Sequence, residues 1–142
     1  MRMGEISKTR LVELADIKLA DAKLLLASGR GENAYYLAGY AVELMLKAIL
    51  STQFKDDTLP DRALVRDAFV HDIEKLARSS KIDGDLKFWL DNDERFNASW
   101  KTVLEWDPIS RYDPRSIDDA AGLVRAIDDA EHGVMKWLRG HL

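Results

Sequence analysis

Apolar residues fall at helical spacing along nearly the whole chain. Leu11, Ala15, Leu19, Ala22 and Leu26 recur at steps of three and four, with Lys18, Asp21 and Lys23 between them, which predicts a first amphipathic helix. Ser7 is placed to cap its start, and Gly29 with Gly31 to end it, since glycine takes left-handed backbone at no steric cost. A second helix is expected from Glu32 or Asn33 to about Gln53, with Ala34, Leu37, Ala41, Leu44 or Met45, and Ala48 inward. A polar connection over Lys55–Pro60 leads to a short amphipathic piece from about Asp61 to Phe69. His71 or Asp72 opens the next helix, with Ile73, Leu76 and Ala77 inward. A longer helix from Asp83 carries Leu86, Trp89, Phe96, Trp100 and Val103 on one stripe. Trp106–Pro114 is irregular, because Pro108 and Pro114 push Asp107 and Asp113 out of helical backbone. Ser116-Ile117-Asp118-Asp119 is a capping box for a last helix, continued by Ala120, Val124, Ile127, Ala130, Val134 and Trp137.

No strand-like alternation, internal repeat or low-complexity segment interrupts this pattern. Short loops favour antiparallel neighbours. The expected fold is all-α: one domain over residues 1–142, an up-and-down antiparallel bundle of four main helices plus a short fifth.

Composition narrows the chemistry. There is no cysteine, which removes disulfides, thiolate metal ligands and thiol nucleophiles. The N-terminal Met-Arg-Met-Gly-Glu-Ile-Ser has no apolar signal region, and no run approaches the ~18–20 apolar residues of a membrane span. A cytoplasmic protein without membrane contact is expected. A net charge of -4 argues against a surface built broadly for nucleic acid, although a small basic pocket is compatible with it.

Three constellations are candidates for function. On the second helix Tyr36, Tyr40, Glu43 and Lys47 share one stripe, as either a polar ligand groove or a solvated face with aromatic packing at a subunit contact. Arg66 and His71 form an Arg-x4-His string. Metal-free cleavage of RNA could use the histidine as general acid or base and the arginine to hold the phosphate. On a straight helix they would diverge by ~140°, so they converge only if the helix breaks between them. The alternative is a helix-capping His71 and a solvated Arg66. In the loop Trp106-Asp107-Pro108-Ile109-Ser110-Arg111-Tyr112, Trp106, Arg111 and Tyr112 either stack on a base and bind phosphate or pin an irregular crossing to the bundle. No metal site is expected: Asp91-Asn92-Asp93-Glu94 lacks the glycine and distal glutamate of a calcium loop, and no cofactor motif is present.

The segment Tyr35-Tyr36-Leu37-Ala38-Gly39-Tyr40-Ala41-Val42-Glu43-Leu44-Met45-Leu46-Lys47-Ala48 resembles the signature helix of the HEPN family (higher eukaryotes and prokaryotes nucleotide-binding domain), which ends in Glu-x-x-x-Lys-Ala. His71-Asp72-Ile73-Glu74-Lys75-Leu76 is similar to the start of that family's next helix. Arg111-Tyr112 is similar to the Arg-Tyr after its fourth. The resemblance spans roughly residues 8–138. It implies a helical bundle, usually dimeric, in a prokaryotic two-gene system that is often of toxin–antitoxin type. The partner would be a small nucleotidyltransferase or a nucleotide-like ligand. Some members are metal-independent ribonucleases with an Arg-x(4–6)-His motif. Arg66 and His71 satisfy the string but lie earlier than the family places it. Arg125 and His132 also satisfy it, and on a continuous helix they would lie within ~20° of each other, with Asp128, Asp129 and Glu131 between them. The expectation is a non-enzymatic or accessory homodimeric protein that binds a nucleotidyltransferase partner or nucleotide-like ligand. The rivals are an RNA endonuclease using Arg66 and His71, and a nucleotide-binding regulator using Tyr40, Glu43, Lys47, Arg111 and Tyr112.

Overall fold

Helices account for all the regular structure of the described residues. The computed structural model describes residues 5–142, with residues 110 and 111 described by their backbone alone. Eight α-helices follow in order: α1 Lys8–Ala27, α2 Gly31–Ser51, α3 Arg62–Asp67, α4 Ile73–Ser79, α5 Asp83–Asn92, α6 Glu94–Leu104, α7 Ile117–Asp128 and α8 Val134–Arg139. A 3-10 helix, Pro108–Tyr112, lies within the irregular stretch before α7.

The first hairpin forms as its residues dictate. The Ser7 hydroxyl oxygen accepts from the Arg10 amide, Leu11, Ala15, Leu19 and Ala22 are buried, and Gly29 turns the chain at φ +77. Packing of α1 on α2 is the most extensive between any two elements, and α7 forms the next largest contact with α2. α2 also touches α4, α8 and the 3-10 helix. Enclosure from several sides explains why α2 is buried around most of its circumference. Besides the expected Ala34, Ala41, Leu44, Met45 and Ala48, it buries Tyr35, Ala38, Val42, Leu46, Ile49 and Leu50, whereas Leu37 is only partly buried.

Two long helices expected from periodicity are each broken, and both breaks are made by an aspartate. Asp93 is extended at φ -138, ψ 101, and its carboxylate accepts from the Arg95 and Phe96 amides that begin α6. Asp129 leaves the helix at φ -54, ψ 131 and accepts from the Glu131 and His132 amides. The expected inward Ala130 is therefore exposed. Gly133 closes the second turn where a Cβ would collide with the Asp129 and Ile127 backbone. His132 staples the two breaks: its Nδ1 lies 2.9 Å from Asp93 Oδ2 while its amide binds Asp129. Hydrophobic spacing runs through both breaks because a one-turn interruption barely changes which residues face the core. The competing local bonds of aspartate decide where the backbone departs.

These bonds have a pH signature. Donors from the Phe96 amide and His132 hold the Asp93 carboxyl below its ordinary value, and the His132 and Glu131 amides do the same for Asp129. A carboxyl with a depressed folded pKa contributes stability above its unfolded pKa and loses it as pH falls through the folded value. Thermal melts should therefore show a falling midpoint from about pH 5 downward. In Asp93→Asn/Asp129→Asn the curve should be flatter over that range. An identical acid profile in the double variant would show that these two residues do not set it.

Candidate functional site

Among the described residues, Glu43 is the one charged residue that is buried. It sits on α2 among apolar neighbours with a side chain only 1% exposed. A lone carboxylate there would cost several kcal/mol, so it must be paired and hydrogen-bonded. Two groups do this. The Lys47 ammonium, one turn on, lies 3.3 Å from Oε2, and His71 Nδ1 lies 3.1 and 3.0 Å from Oε1 and Oε2. Lys47 is close by helix geometry alone. His71 comes from 28 positions away, and the local fold explains how it arrives.

α3 is capped by Asp61, whose side chain accepts from the Ala63 amide, and ends at Asp67. The chain then leaves the helix, and Asp72 caps α4 by accepting from the Lys75 amide. Because Asp72 and not His71 takes the cap, the imidazole is available for Glu43. The helix does break between Arg66 and His71, as convergence of that pair would require, but they do not meet. Arg66 is exposed, and its Nε binds Asp67 Oδ1 at 3.1 Å. Asp67 in turn accepts from the Ser79 hydroxyl at 2.5 Å. That bond, and then the Arg66 bond, hold the Asp67 carboxyl below its ordinary value. Arg66 thus belongs to an Asp67–Ser79 link between α3 and α4.

The expected stripe on α2 divides between two environments. Tyr36 and Tyr40 stack with ring centroids 6.1 Å apart, and both are partly buried. Burial, then the Glu43 carboxylate and Tyr36, push the Tyr40 hydroxyl above its ordinary value, so it remains a neutral donor at physiological pH. Tyr40 and Lys47 also line an apolar groove of about 640 Å³ with Leu11, Leu44, Phe54 and Phe69. His71 lines a separate open cleft of about 430 Å³ with Asp72, Glu74, Trp106, Asp107 and Pro108.

Trp106 ties the irregular crossing to α2. Its indole lies over Gly39, where a Cβ would fall inside the ring atoms, and it is tilted against Tyr36 at 6.1 Å. Its Nε1 is buried and has no acceptor among the described residues. On the neighbouring helical position, Tyr35 is buried beneath the Arg115 guanidinium, 4.4 Å from the ring centroid. Burial raises the Tyr35 hydroxyl above its ordinary value, and Arg115 pulls it partly back. Trp106 and Arg115 therefore act as pins. Tyr112 is largely exposed, and the side chain of Arg111, an expected phosphate ligand, lies outside the described residues.

Arg125 and His132 are separated by the Asp129 break, so the alignment expected of a continuous helix does not apply. His132 is engaged by Asp93. Among the described residues no three histidine or carboxylate side chains converge as a metal-ligand set. No described helix is long and apolar enough to cross a membrane.

Chemically, the arrangement is a histidine held through Nδ1 by a buried carboxylate, its Nε2 without a partner among the described residues, at the rim of an acidic cleft. The carboxylate fixes the ring's orientation and directs any further contact to Nε2. Periodicity gave no sign of the Glu43–His71 pair, since helical spacing relates Glu43 only to its own helix. Gly39 did leave a signal: glycine inside a helix costs about 1 kcal/mol against alanine, which points to a close approach at that position. Comparison with protein-family models, curated proteins and solved structures gives no match to the chain, and its function is therefore read from this geometry.

Proposed function

We propose that the chain is a HEPN-like domain, an up-and-down bundle of four main helices with a short fifth. In this reading it works as a cytoplasmic homodimer in a two-gene, toxin–antitoxin-like system and binds a nucleotidyltransferase partner or a nucleotide-like ligand. The observation that carries the reading is the buried Glu43, which sets His71 at the rim of the cleft while Arg66 is bound to Asp67. Phosphodiester cleavage needs a cation beside the scissile phosphate. Among the described side chains, the cleft beside His71 carries Asp72 and Glu74, which suit basic or hydrogen-bonding groups of a partner. Co-expression with the product of the adjacent gene, followed by affinity purification and light scattering, tests this. The expected result is a stable complex containing a dimer of this chain, weakened by His71→Ala. A monomer that retains nothing after purification would overturn the proposal.

A second reading, a metal-independent endoribonuclease, is supported by one feature: a carboxylate-held histidine with Nε2 available is the arrangement of a general base. It requires that expression arrest growth, that His71→Ala relieve the arrest, and that Arg66→Ala do likewise. Harmless expression with intact cellular RNA excludes it.

A further inference from the structure

A second cleft, remote in sequence from Glu43 and His71, combines aromatic faces with carboxylates. It has a volume of about 340 Å³ and is formed where the two broken helices meet, with Asp85 and Trp89 from α5, Asp93 from the first break, Phe96 from α6, Glu131 from the second break and Trp137 from α8. Trp89 is 40% exposed although its neighbours in the stripe, Phe96 and Trp100, are 3% exposed. Trp137 sits at the centre of a tilted aromatic group, 5.4 Å from Phe96, 5.9 Å from Trp100 and 5.0 Å from His141.

Chemistry selects the occupant. A half-exposed indole beside several carboxylates favours a cation. The two inner carboxylates already accept hydrogen bonds from the protein. Asp85 Oδ2 receives Trp137 Nε1 at 2.8 Å and lies 2.9 Å from His141 Nε2, and Asp93 receives the Arg95 and Phe96 amides and His132. They offer field more than free acceptors, which favours a cation that requires few hydrogen bonds. Donors on Asp93 keep its carboxyl ionised well into the acid range. Lys136 and His141 also line the cleft, and His132 Nε2 lies 3.6 Å from Glu131 Oε2; the Lys136 ammonium, 3.5 Å from the Glu131 carbonyl oxygen, opposes a bound cation.

We propose that this cleft is a binding site for a small organic cation of the alkylated ammonium class, held by cation–π contact with Trp89 and Trp137 in the field of Asp85, Asp93 and Glu131. The site is independent of the Glu43–His71 cleft and of the function proposed for it.

Titration of the full chain with tetramethylammonium and with choline, followed by indole N–H resonances in nitrogen-15 NMR spectra, tests the proposal. The Trp89 and Trp137 signals should shift saturably with a Kd of about 1 mM, in keeping with a ligand of so few atoms, while Trp106 does not respond. The neutral isostere 3,3-dimethylbutan-1-ol should bind at least ~5-fold more weakly, and Trp89→Leu should weaken choline by a similar factor. Lys136→Gln, at an exposed position, should tighten choline binding by about 2-fold by removing the opposing charge. Equal midpoints for choline and its isostere, looser binding in Lys136→Gln, or no saturation by ~20 mM, beyond the range such a small ligand requires, would each overturn it.

Discussion

Alanine at position 39 should lower the melting temperature by about 3–9 °C. In an exposed helix the same change would stabilise by about 0.5–1 kcal/mol, because alanine surrenders less backbone entropy than glycine. Here the new Cβ would meet three ring atoms of Trp106, far inside the 3.0 Å that real Cβ contacts respect. An indole is rigid, and Trp106 is 3% exposed, so it cannot simply rotate into solvent. Overpacking of this kind costs about 1–3 kcal/mol or more and exceeds the helix gain. Trp106→Ala should cost less in the alanine background than in the parent, since the two changes share one contact and will not add. A rise in melting temperature for Gly39→Ala alone would mean that Trp106 does not lie against α2. The consequence reaches the site, because Trp106 walls the cleft beside His71 and its displacement should weaken whatever that cleft binds.

The residues that reported their place from sequence did so through local physics. Ser7 and Ser116 cap as expected, with the reciprocal Ser116–Asp119 bonds of a capping box, because a cap involves only residues three apart. The stripe Leu11, Ala15, Leu19 and Ala22 is buried because α1 packs mainly against one partner. α2 was harder to read. Its buried residues surround the axis, and periodicity offers a single inward face when the helix in fact has several neighbours. Asp93 and Asp129 show a different limit: each could be read as an exposed helix residue, and only the backbone N–H groups that it accepts reveal a break. The Arg66–His71 string shows the same limit at the level of function. Spacing placed the pair near a helix end, but Asp67 and Glu43, one adjacent and one remote, decide which way each side chain turns.

The double variant Lys47→Met/His71→Leu should be destabilised by about 3–5 kcal/mol, and adding Glu43→Leu should restore most of that loss. Glu43 is fully buried, whereas the His71 side chain is 56% and the Lys47 side chain 18% exposed. Removing both partners strands a carboxylate in the core, the costly event. Removing the carboxylate instead lets Lys47 and His71 turn toward water at little expense, so Glu43→Leu alone should remain within about 2 kcal/mol of the parent in urea unfolding. The asymmetry separates two roles for the triad. If the ion pairs existed to stabilise the fold, Glu43→Leu would be the damaging change and the triple variant would be no better than the double. If Glu43 serves to hold His71 at the cleft, Glu43→Leu should leave a folded protein that has lost partner or ligand binding as completely as His71→Ala. The second outcome is the one expected under the partner binding proposed for the cleft. A buried carboxylate that an apolar side chain replaces at a cost below that of stranding it would be better accounted for by the histidine it orients than by the core it occupies.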